Sequence, residues 1–336
     1  MANASAFVML ATMTAAIRRR WWPAAKVLLA AAILAAVGWQ FWRDLHHEGL
    51  QAISVQPAWL VASALLYLAG MGFSAWFWYR LLVIFGERPA VLSAFRAYYL
   101  SQLGKYLPGK AWALMMRGTL VQGPNCKLGV ALIATFYEVL TMMASGALLA
   151  AVLFVLEPPA VLGDSWNPAV LGLVLLAVCG VPLLPGVFNR IVGRLARRFE
   201  SVESFRLPRL GAATLLEGLA TTSCVWVFFG LSLWAMVQAV MPEPPPLTWG
   251  VWARYTAILA LAYVGGFVAV FVPGGMGVRE WVLDRFLAPE LAGLGAVAAA
   301  PATVVIVLLL RLSWTAAELV VGAVLWWLPG PRRISA

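Results

Sequence analysis

The sequence predicts an all-α polytopic membrane protein with about seven or eight transmembrane helices plus two re-entrant, broken-helix hairpins arranged as an inverted repeat. Three observations predict that class. Of 336 residues, 63% are hydrophobic and 11% charged, against roughly 25% charged in a soluble domain, and the mean hydropathy is +0.87. The apolar residues fall in long runs, several above the roughly 18 residues needed to span a bilayer. The 24 Lys and Arg outnumber 14 Asp and Glu, for a net charge of +10, and the excess gathers in alternate loops, as cytoplasmic loops do. A water-soluble enzyme is excluded, and so is a nucleic-acid groove, which would concentrate that charge on one surface.

The elements follow in order. Arg18, Arg19, Arg20 and Lys26 precede an apolar run from 26 to 42 with no small-residue cleavage pattern after it, so the run reads as a first span rather than a cleaved signal. The N-terminus is then cytoplasmic and the location a bacterial-type cytoplasmic (inner) membrane. A second span is expected over 58–85, and further runs lie at 128–156, 168–187, 211–240, 252–272, 291–310 and 312–328. The loop at 157–167 carries Glu157 and Asp164 without a base and reads as external, as does the Pro-rich loop at 241–250 with Glu243. The loop at 188–210 carries Arg190, Arg194, Arg197, Arg198, Arg206 and Arg209 and reads as cytoplasmic; the first three at helical spacing also suit anionic headgroups. These sides alternate only if 89–127 starts and ends inside. That stretch holds Arg96, Lys105, Lys110, Arg117 and Lys127, too many charges for a lipid-facing span, so a re-entrant hairpin is expected there. Trp21, Trp22, Trp39, Trp42, Trp59, Trp249, Trp252, Trp326 and Trp327 sit at span ends, where indoles favour the headgroup layer.

The second half echoes the first. Tyr98 is followed ten residues later by Pro108-Gly109-Lys110, and Tyr263 ten residues later by Pro273-Gly274-Gly275. The expected organisation is one transmembrane domain over 1–336, with inverted repeats at 26–156 and 168–310 and an extra C-terminal span at 312–328. Seven spans place the C-terminus outside; a full crossing by 252–272 gives eight and places Arg332 and Arg333 inside.

Chemistry concentrates at the two breaks. Pro and Gly free backbone groups, and a half-helix starting after the break aims its positive end at it, a seat for phosphate or carboxylate. Lys110, Arg117 and Arg279 stand on or just after the breaks, and an arginine fork suits phosphate. Glu138 lies about 15 Å into its span at 1.5 Å per residue, where an ionisable group must be paired, neutral or facing water. Its expected partners are Lys105, Lys110 and Arg117, and its role a counter-ion or a proton-coupling site. Glu217, near Thr221, and Glu318, two turns from Arg311, read as shallower structural or coupling carboxylates, and Arg96 and Arg254 as snorkelling side chains. Cys126, Cys179 and Cys224 have no redox or metal spacing, and His46 and His47 are too few for zinc. The Gly274-Gly275-Met276-Gly277 run lacks the Lys-Ser/Thr of a nucleotide loop. No metal, cofactor or catalytic residue is expected.

Tyr106-Leu-Pro-Gly-Lys-Ala-Trp112 and Val272-Pro-Gly-Gly-Met-Gly-Val-Arg-Glu280 resemble the two hallmark motifs of the lysylphosphatidylglycerol synthase transmembrane-region family. As an arrangement, the resemblance extends from about residue 25 to 328. It implies lipid handling: in bifunctional members this region is regarded as the flippase for aminoacylated phosphatidylglycerol, ahead of a soluble transferase domain. This chain ends at Ala336, so synthesis of that lipid is not expected of it. Carried over, the substrate pocket is lined by Lys105, Pro108, Gly109 and Lys110 from one half, and by Pro273, Gly274, Gly275, Gly277, Arg279 and Glu280 from the other. The expectation is a flippase for a phosphate-bearing lipid: an aminoacyl-phospholipid, a phospholipid or a polyprenyl-phosphate-linked headgroup. Two alternatives stand beside it. One is an integral enzyme of lipid-linked glycosyl or headgroup transfer with Glu138 or Glu280 as base. The other is a membrane partner of a separate lipid-modifying synthase or glycosyltransferase. Expected partners are the lipid and such a synthase, with no nucleic acid, and a homo-oligomer is compatible.

Overall fold

The computed structural model describes residues 55–106, 111–159, 168–198, 210–268, 278–292 and 299–327. The expected first span at 26–42, His46, His47, Arg332 and Arg333 lie outside them. All the named elements are helical: α1 (Pro57–Ile84), α2 (Val91–Gln102) continued by a 3-10 turn (Leu103–Tyr106), α3 (Ala111–Val121), α4 (Leu128–Leu156), α5 (Pro168–Gly180) with a 3-10 turn (Val181–Leu183), α6 (Pro185–Arg198), α7 (Ala212–Val240), α8 (Trp249–Val268), α9 (Val278–Ala292) and α10 (Ala299–Trp327). Five helices among the described residues, α1, α4, α7, α8 and α10, are long and apolar enough to cross a membrane.

Helix α1 begins at Pro57, a residue whose fixed φ suits the first helical turn, and runs antiparallel to α7. Backbone and side chains pair along the whole seam. Gln56 donates its N–H to Ala239 O (2.9 Å). Ser63 and Ser232 each donate to the other's carbonyl (2.8 Å). Arg80 donates to Glu217 (2.8 Å) at the far end. Small hydroxylated residues let the backbones approach and satisfy their own O–H groups in a medium without water. Helix α4 runs parallel to α7, where Thr222 donates to Ser145 (2.9 Å) and Trp226 Nε1 to Met142 O (3.0 Å). Helix α10 runs parallel to α1, with Ser313 donating to Leu60 O (3.1 Å) and Trp314 Nε1 to Ser232 Oγ (2.9 Å). Helix α8 is enclosed all round: every residue from Ala257 to Ala262 is buried.

Helices α2 and α3 are the two limbs of a hairpin whose ends meet. Arg88 N–H bonds Asn125 O (3.0 Å) and Lys127 N–H bonds a Glu87 carboxylate oxygen (3.1 Å). The chain therefore leaves and returns at one point, the C-terminal end of α1. A second hairpin, α8–α9, closes at the opposite end of the helices: Arg254 near the start of α8 pairs with Glu290 near the end of α9 (2.9 Å) and with Glu157 at the end of α4 (3.2 Å). The helices before the two hairpins, α1 and α7, are antiparallel, and so are those after them, α4 and α10.

Two expectations require correction. The run 168–187 is not one span: Pro182 and Pro185 divide it, leaving α5 about 20 Å long at 1.5 Å per residue and turning the rest into the basic helix α6. That helix is anchored by Phe188 against Tyr137 (centroids 4.7 Å) and by Asn189 exchanging two hydrogen bonds with Leu210 (3.1 and 3.2 Å). The runs 291–310 and 312–328 are not two spans. From Ala299 to Trp327 they form a single helix, because one arginine at 311 interrupts an apolar pattern without interrupting a backbone; Pro301 falls in the first turn, where it is tolerated. Arg254, expected to snorkel, holds two carboxylates at the helix ends, Glu157 and Glu290.

Two predictions follow from the packing. A Cβ at Gly230 would meet the Thr256 backbone Cα on α8 at 3.0 Å, and backbone cannot give way. Gly230→Ala should therefore destabilise by about 1–3 kcal/mol, the usual cost of overpacking, read as a lower midpoint in detergent thermal unfolding. At the base of the first hairpin, burial, with the Glu87 charge adding to it, pushes the Cys126 thiol up to about 12. In a Cys179→Ala, Cys224→Ala background, Cys126 should resist maleimide at pH 8 until the protein is unfolded, since the thiolate is the reactive form.

Candidate functional site

Each hairpin brings an arginine from its second limb onto a tyrosine of its first. In the first hairpin the Arg117 guanidinium lies 4.0 Å from the Tyr98 ring centroid and 5.6 Å from that of Trp78. In the second, Arg279 lies 4.1 Å from Tyr263. A desolvated cation over an aromatic face gains about 0.5–2 kcal/mol, so each tyrosine is a platform that sets where its arginine rests.

The two arginines differ in what else they meet. Arg117 Nη1 donates to Glu138 Oε2 (2.7 Å) and Nε to Ser101 Oγ (3.1 Å). The other Glu138 oxygen accepts from Tyr98 OH (3.1 Å) and from Ser74 Oγ. The Glu138 side chain is 1% exposed and that of Arg117 6%. The deep carboxylate thus has the ion pair expected for it, drawn from the expected hairpin. At Arg279, by contrast, Nε is buried without a hydrogen-bond partner, and no acid among the described residues pairs with the guanidinium.

The tip of the first hairpin reaches α10. Lys105, on the 3-10 turn, donates to Glu318, which also accepts from Tyr67 OH on α1. The Glu318 side chain is 1% exposed while Lys105 is 40% exposed. Glu318 is therefore paired with the hairpin tip, and its carboxylate is enclosed by protein. Tyr67 stacks on Trp314 (4.2 Å) and Phe229 (5.1 Å), and Tyr263 contacts Trp314 (5.7 Å). A wall of aromatic rings accordingly runs from the Lys105–Glu318 pair to Arg279. Beside it, α1, α2 and α10 enclose an apolar groove of about 620 Å3, lined by Leu68, Phe95, Tyr99 and Val321 among others.

Of the residues expected at the site, Lys105, Arg117, Arg279, Glu138 and Glu318 converge on these two tips. Glu217 does not: it pairs with Arg80 at the end of the α1–α7 seam, and Thr221 donates to its backbone carbonyl, not its carboxylate. Arg96 donates to Trp326 O (3.0 Å) at the rim. Pro108, Gly109, Lys110, Pro273, Gly274, Gly275, Gly277 and the Glu280 side chain lie outside the described residues. Sequence reasoning used Tyr98 and Tyr263 only to align the halves and missed them as platforms; their matched spacing from the two breaks was the signal. Ser74, Ser101 and Tyr67 carry no motif and are visible only in three dimensions.

The sequence matches the family model described as the lysylphosphatidylglycerol synthase TM region over residues 23–317. The chain belongs to that family and is a multi-pass membrane protein. A search of curated proteins finds no match.

Removing one partner of the buried pair should be costly. Glu138→Ala leaves Arg117 charged and unpaired, and a loss of about 3–5 kcal/mol is expected, as for other broken buried pairs. The double variant Arg117→Leu, Glu138→Leu should recover a large part of it. A double-mutant cycle on thermal unfolding in detergent checks both.

Proposed function

We propose that this member of the lysylphosphatidylglycerol synthase transmembrane-region family is a lipid flippase that moves a phosphate-bearing lipid through a cationic cavity near the bilayer midplane. The observation that carries this reading is Arg279: a half-buried cation at the start of α9, stacked on Tyr263, with its Nε buried and unpartnered. An isolated arginine at depth costs about 2.5–3.5 kcal/mol on insertion scales, a cost that an anionic headgroup offsets. Arg279 lies eleven residues before Glu290 on α9, about 16 Å at 1.5 Å per residue; with Glu290 at the edge of a hydrocarbon layer about 30 Å thick, that depth would be near its middle. The tails would stay in lipid, and the apolar groove along α1, α2 and α10 has the chemistry of an acyl chain's neighbour.

In this reading the two hairpins are re-entrant and the halves are inverted repeats. Opposed directions of α1 and α7, and of α4 and α10, support it, as do hairpins closing at opposite ends. Rocking of one half against the other would expose the cavity to alternate faces. The Arg254 clamp on Glu157 and Glu290 would break as the second hairpin moves. Lys105, Lys110 and the Pro-Gly breaks would complete the pocket, and Glu318 is a counter-ion that Lys105 can leave. The enzymatic alternative needs a free carboxylate base. Glu138 is poorly suited to that, since Ser74, Tyr98 and Arg117 already occupy both its oxygens.

The test is a flip assay in proteoliposomes with labelled anionic, zwitterionic, aminoacylated and polyprenyl-phosphate lipids. Headgroup-selective movement above empty vesicles is expected, slowed about tenfold or more by Arg279→Gln, the change that each 1.4 kcal/mol of lost stabilisation produces. No movement of any lipid by folded protein would overturn the proposal.

A further inference from the structure

We infer that α6 and the groove beside it form a lipid site separate from both hairpins, which holds one anionic phospholipid of the surrounding leaflet as a fixed ligand rather than as cargo. The site depends only on the chain's place in a membrane and stands apart from the flippase reading.

Helix α6 begins where Pro182 and Pro185 stop an apolar run, and its composition changes at once: Pro185–Arg198 carries four arginines and no acid. Arg190, Arg194 and Arg197 are four and three residues apart and Arg198 adjoins them, so by register they follow one side of the helix. Phe188, Ile191, Val192 and Leu195 follow another side at the same spacing. A basic stripe beside an apolar one is the pattern of a helix lying in the headgroup layer. The level of α6 in the fold agrees. Phe188 is buried against Tyr137 of α4, and Asn189 exchanges hydrogen bonds with Leu210, two residues before α7 begins. Helix α1 ends at the same level, since Arg80, four residues before its last, meets Glu217 in the second turn of α7. Two spans therefore have their ends where α6 is pinned.

A groove opens at the elbow between α5 and α6. It encloses about 360 Å3 between α4, α5 and α7, and Leu148, Leu173, Ala177, Leu184 and Leu219 are among its lining residues, none of which has a polar side chain. Leu184 belongs to the elbow itself and is 48% exposed; Arg190 follows six residues later, exposed and without an ion pair among the described residues. The ligand must satisfy both features. A soluble acidic partner would neutralise the arginines and leave the apolar groove open. A zwitterionic lipid would fill the groove but bring its own amine against a helix that has no acid to receive it. An anionic phospholipid places an acyl chain in the groove and its phosphate beside Arg190, where an arginine fork donates two hydrogen bonds.

The test mixes the full chain, in a neutral detergent, with equal amounts of dioleoyl phosphatidylglycerol and dioleoyl phosphatidylcholine, and counts the lipids retained per chain by native mass spectrometry. One phosphatidylglycerol should stay, preferred about tenfold or more, since each base beside an anionic headgroup contributes about fivefold. The double variant Arg190→Gln, Arg194→Gln should lose that preference, and Arg190→Lys, Arg194→Lys, which keeps the charge, should retain it. Ala177→Phe, which fills the groove and leaves the arginines in place, should lower retention of phosphatidylglycerol several-fold. Arg279→Gln should leave the retained lipid in place, which separates it from any lipid carried at the second hairpin. Thermal unfolding reports the folding of each variant, and if Ala177→Phe does not fold, the arginine variants decide. Equal retention of the two lipids, undiminished preference in the glutamine variant, undiminished retention by folded Ala177→Phe, or loss of the lipid in Arg279→Gln would each overturn the inference. Tighter binding of polyglutamate than of phosphatidylglycerol would make α6 a docking surface for an acidic protein and overturn the lipid. If the expected pattern holds but no lipid is flipped, the transport reading falls and this site stands.

Discussion

The Arg117–Glu138 ion pair is the constraint on which the architecture turns. Both side chains are almost completely buried, and neither charge survives there alone, so the pair must form for the first hairpin to enter the protein at all. Its contacts reach several elements: Glu138 on α4 accepts from Ser74 on α1 and Tyr98 on α2, while Arg117 on α3 spans back to Ser101 on α2. One carboxylate thus fixes the hairpin's depth and its rotation against α1 and α4. With the hairpin seated, its tip reaches far enough for Lys105 to meet Glu318 on α10.

The surrounding helices provide the frame that this pair locks. In a bilayer the hydrophobic effect does not press helix against helix, and close approach must come from small residues and internal hydrogen bonds. The reciprocal Ser63–Ser232 bonds and the Thr222–Ser145 bond provide them along α7. Large rings then fill what the small residues leave: Trp226 and Phe229 on α7, Tyr67 on α1 and Trp314 on α10 form one stacked cluster. Its position at the hairpin tips means that the most rigid packing surrounds the place where charge is concentrated. Flat, poorly rotatable side chains hold an arginine in one place at little entropic cost.

How much of this was legible in the sequence differs by level. Apolar runs located α1, α4 and α7 to within a residue or so, because a bilayer enforces length as well as hydrophobicity. The charges of 89–127 exposed the first hairpin, since no lipid-facing helix carries so many. Backbone breakers were read less well. Pro182 and Pro185 stand in an apolar run and were outweighed by it, and Arg311 was given the weight of a boundary that a single side chain does not impose. The partner of Glu138 was legible because only one hairpin leads into α4. The partners of Glu318 and Arg254 were not, because Lys105 is 213 positions from Glu318 and Glu157 is 97 from Arg254. Pairing over such separations is set by the fold and leaves no local pattern. The tyrosine platforms were visible as a repeat but not as chemistry.

The difference between the hairpins gives them separate tasks on physical grounds. A hairpin whose arginine is neutralised by its own chain has no reason to move with ligand, since its charge is satisfied whether a headgroup is present or absent. In the proposed reading, a hairpin whose arginine has no carboxylate paired with it among the described residues would change in free energy when an anion arrives and change back when it leaves. In the proposed transport cycle only the second would transmit occupancy into movement, because a ligand shifts a conformational equilibrium solely through its differential affinity for the two states. Its end of the bundle is also the one held by a half-buried clamp, Arg254 between Glu157 and Glu290, whose side chains keep 9–30% of their exposure. Water reaching those groups lowers the cost of parting them. The fully buried Arg117–Glu138 pair has no such relief, so parting it costs more than parting the Arg254 clamp.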